Sequence, residues 1–184
     1  MRDDKITKID ITIDANTYAE IINGVLRKAP LEIGVEIAVY MLLYGTINKE
    51  EYSVVDVNSM KKKQAKVLVK DDVEEISKVP DLVIVDKDFM YNAGVKNTNN
   101  SAGAYGIIEV KGLSVKYSKN EYDIQKENAN NFIWTNGIKW YFDGEDKPSI
   151  DLSDGPDQDG KYKIKESEFE KLLVKLKNIK WGNN

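Results

Sequence analysis

The chain of 184 residues contains neither cysteine nor histidine. These two absences remove whole chemistries. No thiol nucleophile, disulfide framework or Cys/His zinc site can be built. An imidazole general base and a Ser-His-Asp triad are excluded as well. An active site would have to be assembled from carboxylates, lysines, hydroxyls, amides and backbone, and carboxylates suit hard cations such as magnesium, manganese or calcium. Arginine is scarce, with only Arg2 and Arg27. It is the commonest reader of guanine edges, so arginine-based base readout is disfavoured. A composition biased toward lysine, isoleucine and asparagine explains the same shortage. Long apolar runs are also missing: the longest, residues 37–44, is too short to cross a bilayer. The charged start, residues 1–5, does not resemble a signal peptide, which leads to the expectation of a cytoplasmic protein.

The remainder is the composition of a folded domain. Hydrophobic residues make up 41% and charged residues 32%, a mixture that excludes disorder for the chain as a whole. A net charge of −4 gives no overall basic field that would advertise nucleic acid. The length fits a single α/β domain over residues 1–184.

Residues 6–14 alternate Ile9, Ile11 and Ile13 with polar residues, a short edge strand or lead-in arm. Residues 16–28 read as a helix capped by Asn16, with Tyr18, Ile21, Ile22 and Val25 as its stripe. Pro30 opens a second helix over about residues 31–44, apolar nearly all round and therefore expected to be buried, with Glu36 in its middle. Strands are expected at residues 52–57, 65–69, 82–85 and 105–110. The last two are apolar on both faces, as central strands of a covered sheet are. Residues 71–77 form a short helix or turn, and residues 92–103, rich in asparagine and glycine, a connection. A polar helix spans residues 118–130, and Asn136-Gly137 is a hairpin signal between residues 132–135 and 138–142. Residues 143–159 carry seven acidic residues and one lysine and read as a solvated loop. Asp157, Asp159, Gly160 and Glu166 partly match a calcium loop, but Gly155 stands at its first ligand position. A capping box of Ser167 and Glu170 opens a final helix to about residue 180. Its lysines, and Lys61, Lys62 and Lys63, are candidate phosphate contacts or simply solvated.

Three polar features stand out. Glu109 and Lys111 lie two apart in an apolar strand, so both project from one face, and a carboxylate there requires a partner, a metal or a shifted pKa. An ordinary same-face ion pair satisfies the same pattern. Asp81 follows Pro80 at the head of another apolar strand, as in a simple turn, but pairing of the two strands would bring Asp81 toward Glu109. Two carboxylates that close repel unless a cation or a proton sits between them. Glu36 either lies inside an apolar helix or shares an exposed stripe with Glu32, one turn earlier.

Pro80-Asp81, followed by Glu109-Val110-Lys111-Gly112 at the end of the next apolar strand, resembles the PD-(D/E)XK nuclease motif. The polar helix and Thr135-Asn136-Gly137 with Trp140 are similar to the N-terminal nuclease domain of type I restriction enzyme R subunits, and the resemblance covers residues 31–142. It implies a restriction endonuclease-like fold, a central mixed β-sheet flanked by helices on both faces, with the acidic loop and helix of residues 143–184 appended. It implies that Asp81, Glu109 and the carbonyl of Val110 hold Mg2+ or Mn2+, with Glu36 assisting. Lys111 would orient or deprotonate the attacking water, and Gln125 matches a glutamine of the following helix, although Ala129 stands where relatives carry an aromatic. The implied activity is metal-dependent hydrolysis of DNA phosphodiester bonds in a restriction or phage-defence setting. With no phosphate-binding loop for a motor, the chain would act alone, as a homodimer, or with a partner subunit in trans. The alternative is a catalytically silent module of the same fold that binds nucleic acid or a protein. A carboxylate sugar hydrolase leaves Lys111 unexplained.

Overall fold

A computed structural model describes residues 13–28, 30–60, 79–89, 104–126, 131–142 and 144–182, without the side chains of residues 124–126. The expected strand at 65–69, the turn at 71–77, the connection at 92–103 and nearly all of the first strand lie outside the described residues.

Helix α1 (Ala15–Lys28) is capped two residues earlier than expected. The carboxylate of Asp14, not Asn16, accepts the Thr17 amide at 2.7 Å. That bond holds the Asp14 carboxyl below its ordinary pKa. Tyr18 and Ile22 of this helix are buried. Helix α2 (Glu32–Thr46) follows Pro30 and ends where the Thr46 hydroxyl donates to the carbonyls of Leu42 and Leu43. Val35, Ala38, Val39, Leu42 and Leu43 are buried, but Ile33, Ile37, Met41 and Tyr44 are exposed. The expectation of a helix buried all round is therefore corrected. An apolar circumference states what a helix can bury, and in this chain one face has no covering element among the described residues.

Among the described residues six strands follow in chain order across one sheet: β1 (Tyr52–Asp56), β2 (Leu82–Asp86), β3 (Gly106–Val110), β4 (Asn131–Thr135), β5 (Lys139–Tyr141) and β6 (Ile150–Asp151). Of these strands only β3 and β4 pair in parallel, and the connection between them carries α3 (Lys119–Lys126), as a parallel crossover requires. The sheet is thus mixed. Leu82, Ile84, Ile108, Val110 and Ile133 pack with α1, α2 and the last helix, α4 (Glu166–Asn178). Val83, Val85, Ile107, Phe132 and Trp134 form a second core with Tyr122 of α3. Helices therefore cover both faces, and β3 is buried along its whole length.

Three local expectations are corrected. First, Asn136-Gly137 does not make a two-residue turn: Thr135 pairs with Trp140, and three residues, Asn136, Gly137 and Ile138, lie between β4 and β5. Gly137 takes φ +82° while Asn136 stays at negative φ, and the Asn136 side chain accepts the amides of Ile138 and Lys139. Second, the acidic stretch is not wholly a loop. Ile150 and Leu152 are buried, and β6 adds an edge to the sheet through Trp140↔Ile150. Asp157 spends its carboxylate on the amides of Asp159 and Lys161, a local turn rather than a calcium loop. Third, α4 begins at Glu166, after Lys165, with no side-chain cap, so the Ser167 capping box does not form.

The first residue of β3 is fixed by close packing. A Cβ on Gly106 would collide with the six-membered ring of Trp181, which is buried, so the glycine is the space in which that indole lies. Gly106→Ala should lower stability by about 2 kcal/mol, as overpacking does. Gly106→Ala with Trp181→Leu should cost less than the sum of the two single changes. Urea unfolding midpoints measure both.

Candidate active site

The β2–β3 pairing places the site. Leu82 opposes Ile108, which sets Asp81, one residue before β2, level with Glu109. The ladder ends there, so the Val110 amide has no strand acceptor. It donates instead to Asp81 Oδ2 at 2.6 Å. Asp81 is 4% exposed and Glu109 fully buried.

Lys111 closes the group. Its amide donates to the Thr135 carbonyl, which holds the residue in line with β3 and on the same side as Glu109. Its ammonium contacts Glu109 Oε1 and the carbonyl of Val110, and lies 3.8 Å from Asp81 Oδ2. A fourth oxygen, Glu32 Oε1, stands 3.9 Å away. Two carboxylates from neighbouring strands and one carbonyl thus converge on a single cation, the ammonium itself.

The balance of charge shifts Asp81. Burial, then the charge of Glu109, push its pKa up to about 7, against the opposing pull of Lys111 and the Val110 amide. Glu36 sits beside this group rather than in it. It is 2% exposed, accepts a hydrogen bond from Asn58 Nδ2 at 3.0 Å, and its Oε1 has no hydrogen-bond partner among the described residues. Burial foremost, with the charges of Asp56 and Glu32, raises its pKa. Of the two sequence readings for Glu36, burial is the one observed.

Of the sequence-derived residues, the structure brings Asp81, Glu109, Val110 and Lys111 into contact and sets Glu36 close by. Gln125 falls within α3, and its side chain lies outside the described residues. Thr135 and Asn136 have supporting places. Thr135 Oγ1 accepts the Gly137 amide, and Asn136 Nδ2 donates to the carbonyls of Leu113 and Val115, pinning the segment that follows Lys111. Glu32 is a residue that the site reading passed over: it accepts the Gly112 amide at 3.3 Å and reaches Lys111. Its signal was the one-turn spacing from Glu36. Asn58 and Asp56 gave no signal, because nothing in the sequence ties the end of β1 to α2.

Among the described residues no group of three or more acidic side chains is arranged to hold a metal ion. The donor set is nonetheless one of hard oxygens, two carboxylates and a carbonyl already gathered around a positive charge. That chemistry fits magnesium or manganese.

The raised pKa of Asp81 has a definite sign. A carboxyl whose folded pKa lies above its unfolded one binds the proton more tightly in the native state. Its stabilising contribution is full below about pH 4 and is lost as pH rises toward 7. The magnitude is on the order of 4 kcal/mol. Without divalent metal, Asp81→Asn should therefore be more stable than wild type at pH 8 and should lose that advantage by pH 4. Thermal melts across that range test it, and a wild-type advantage at pH 8 would contradict it.

Comparison of the chain with protein-family models, curated proteins and solved structures gave no match in any of the three.

Proposed function

We propose that the chain is a metal-dependent endonuclease that hydrolyses DNA phosphodiester bonds, working in a restriction or phage-defence setting. The observation that supports this reading best is the convergence of Asp81, Glu109 and the Val110 carbonyl on the Lys111 ammonium at the end of two paired central strands. Phosphodiester hydrolysis requires an activated water and neutralisation of charge on the phosphate. A hard cation, when bound, supplies both. Asp81, Glu109 and the Val110 carbonyl are the oxygens that would hold it, with Glu36 in support. Lys111 then turns from its carboxylate partners toward the phosphate or the attacking water. The buried strand pair fixes the carboxylates, and the Val110 amide orients Asp81 through its Oδ2.

A second reading has its own observation. The exposed apolar stripe of α2, Ile33, Ile37, Met41 and Tyr44, favours a silent module of this fold that docks a protein.

Incubation of supercoiled plasmid with the protein in magnesium, in manganese and in EDTA separates the two. The nuclease reading expects nicking that EDTA abolishes and that Lys111→Ala lowers by about 100-fold or more, the scale of removing one transition-state contact. Magnesium should also raise the melting temperature of wild type at pH 8 and leave Asp81→Asn unmoved, because binding to the folded state alone stabilises it. Absence of cleavage across metals and across duplex and single-stranded DNA would overturn the reading.

A further inference from the structure

A cavity one strand over from Glu109 is not used by the chemistry above. Its volume is about 510 Å³, within the range of small-molecule sites. It opens between the segment after Lys111 and the β4–β5 hairpin, and its walls include Tyr117, Trp134, Tyr141 and Tyr162. Trp134 is the register partner of Glu109 across the parallel β3–β4 pair. Registered side chains on neighbouring strands point to the same face and stand about 5 Å apart. The cavity is thus one strand over from a candidate catalytic carboxylate, on the same side of the sheet. The step from a phosphate to its own base is similarly one sugar long.

The walls have the chemistry of a base site. Tyr117 and Tyr141 stack at 3.9 Å with an interplanar angle of 6°. Trp134 meets both edge-on, at 5.3 and 5.4 Å. Flat aromatic walls accept any nucleobase, since every base has a π-face. Lys116 and Lys139 share the lining with Asp151 and Asp154. Charges of both signs suit a base edge that carries donors and acceptors together, and suit a bare phosphate poorly. Trp134 Nε1 and Tyr117 Oη are buried with no hydrogen-bond partner among the described residues. Unpaired buried polar groups are uncommon and costly, and base carbonyls and ring nitrogens are the acceptors they lack. Of the two stacked rings, Tyr141 is held in β5 while Tyr117 is carried by a segment outside any strand or helix. Tyr117 is therefore the ring that shifts to admit a base.

We propose that this cavity receives the unstacked base of the nucleotide whose phosphate lies at Asp81 and Glu109, an inference that rests on the nuclease reading and names how its substrate is held. The test is binding in EDTA, where cleavage plays no part. The protein is labelled with 15N-tryptophan and titrated with each of the four deoxynucleoside monophosphates and with 2-deoxyribose 5-phosphate. The indole resonances of Trp134, Trp140 and Trp181 are assigned by substitution. The expected result is a saturable shift of the Trp134 indole by nucleotides, none by the sugar phosphate, and a constant Trp181 signal. Tyr117→Ala should weaken nucleotide binding about tenfold with the fold retained, the scale of one lost base–aromatic stack. Failure of every nucleotide to shift Trp134, or an equal shift from the sugar phosphate, would overturn the pocket, even if plasmid is cleaved. Nucleotide binding in a protein that cleaves no DNA would instead uphold the pocket and remove the nuclease reading.

Discussion

One ammonium is the constraint on which the rest depends. Lys111 sits among the carboxylates of Asp81 and Glu109, with Glu32 at the rim, in a place that water scarcely reaches. Acids buried this close would repel each other without it, and removal of one partner from a buried charge cluster is among the costlier changes a core can suffer. The surrounding structure keeps the ammonium in place. The strand register brings Asp81 beside Glu109, the Thr135 carbonyl holds the Lys111 backbone, and the Val110 amide fixes the aspartate. Even with that cation present, one acid holds a raised pKa, because burial and the charge of Glu109 outweigh the pull of Lys111.

Much of this was legible in the residue order. Period-2 spacing put Glu109 and Lys111 on one side of a strand, and the apolar runs identified β2 and β3 as central. What linear order lacks is register. Nothing in the sequence states that Leu82 pairs with Ile108, and that pairing alone brings Asp81 to Glu109. The resemblance to a nuclease motif anticipated this juxtaposition. The residues themselves allowed a simple turn and a simple ion pair. Contacts made by loops were invisible for the same reason: Asn58 reaches Glu36 from the end of β1, and Asn136 holds the backbone beyond Lys111.

The misses follow a common cause, which is tertiary packing overriding local signals. The Asn136-Gly137 dipeptide turns the chain, but its asparagine is held at negative φ by the amides and carbonyls it bonds. The acidic stretch looked fully solvated because its charges outnumber its apolar residues. Ile150 and Leu152, spaced two apart, are enough to extend the sheet. In α2 the error ran the other way. A helix apolar on every side was expected to find cover on every side, and half of it did.

The packing of Trp181 against Gly106 carries a consequence for the order in which the protein matures. Gly106 begins the strand that ends at Glu109, Val110 and Lys111, and it receives its packing partner from 75 positions further along the chain. A nascent polypeptide emerging from a ribosome has Glu109, Val110 and Lys111 long before it has that indole. Strand β3 can pair with β2 early, but one end of it remains unpacked until residue 181 arrives. The wedge acts as a completion mark: the strand that ends at Glu109 and Val110 gains its last packing contact only after synthesis has passed the last helix, and a product truncated before residue 181 would lack it.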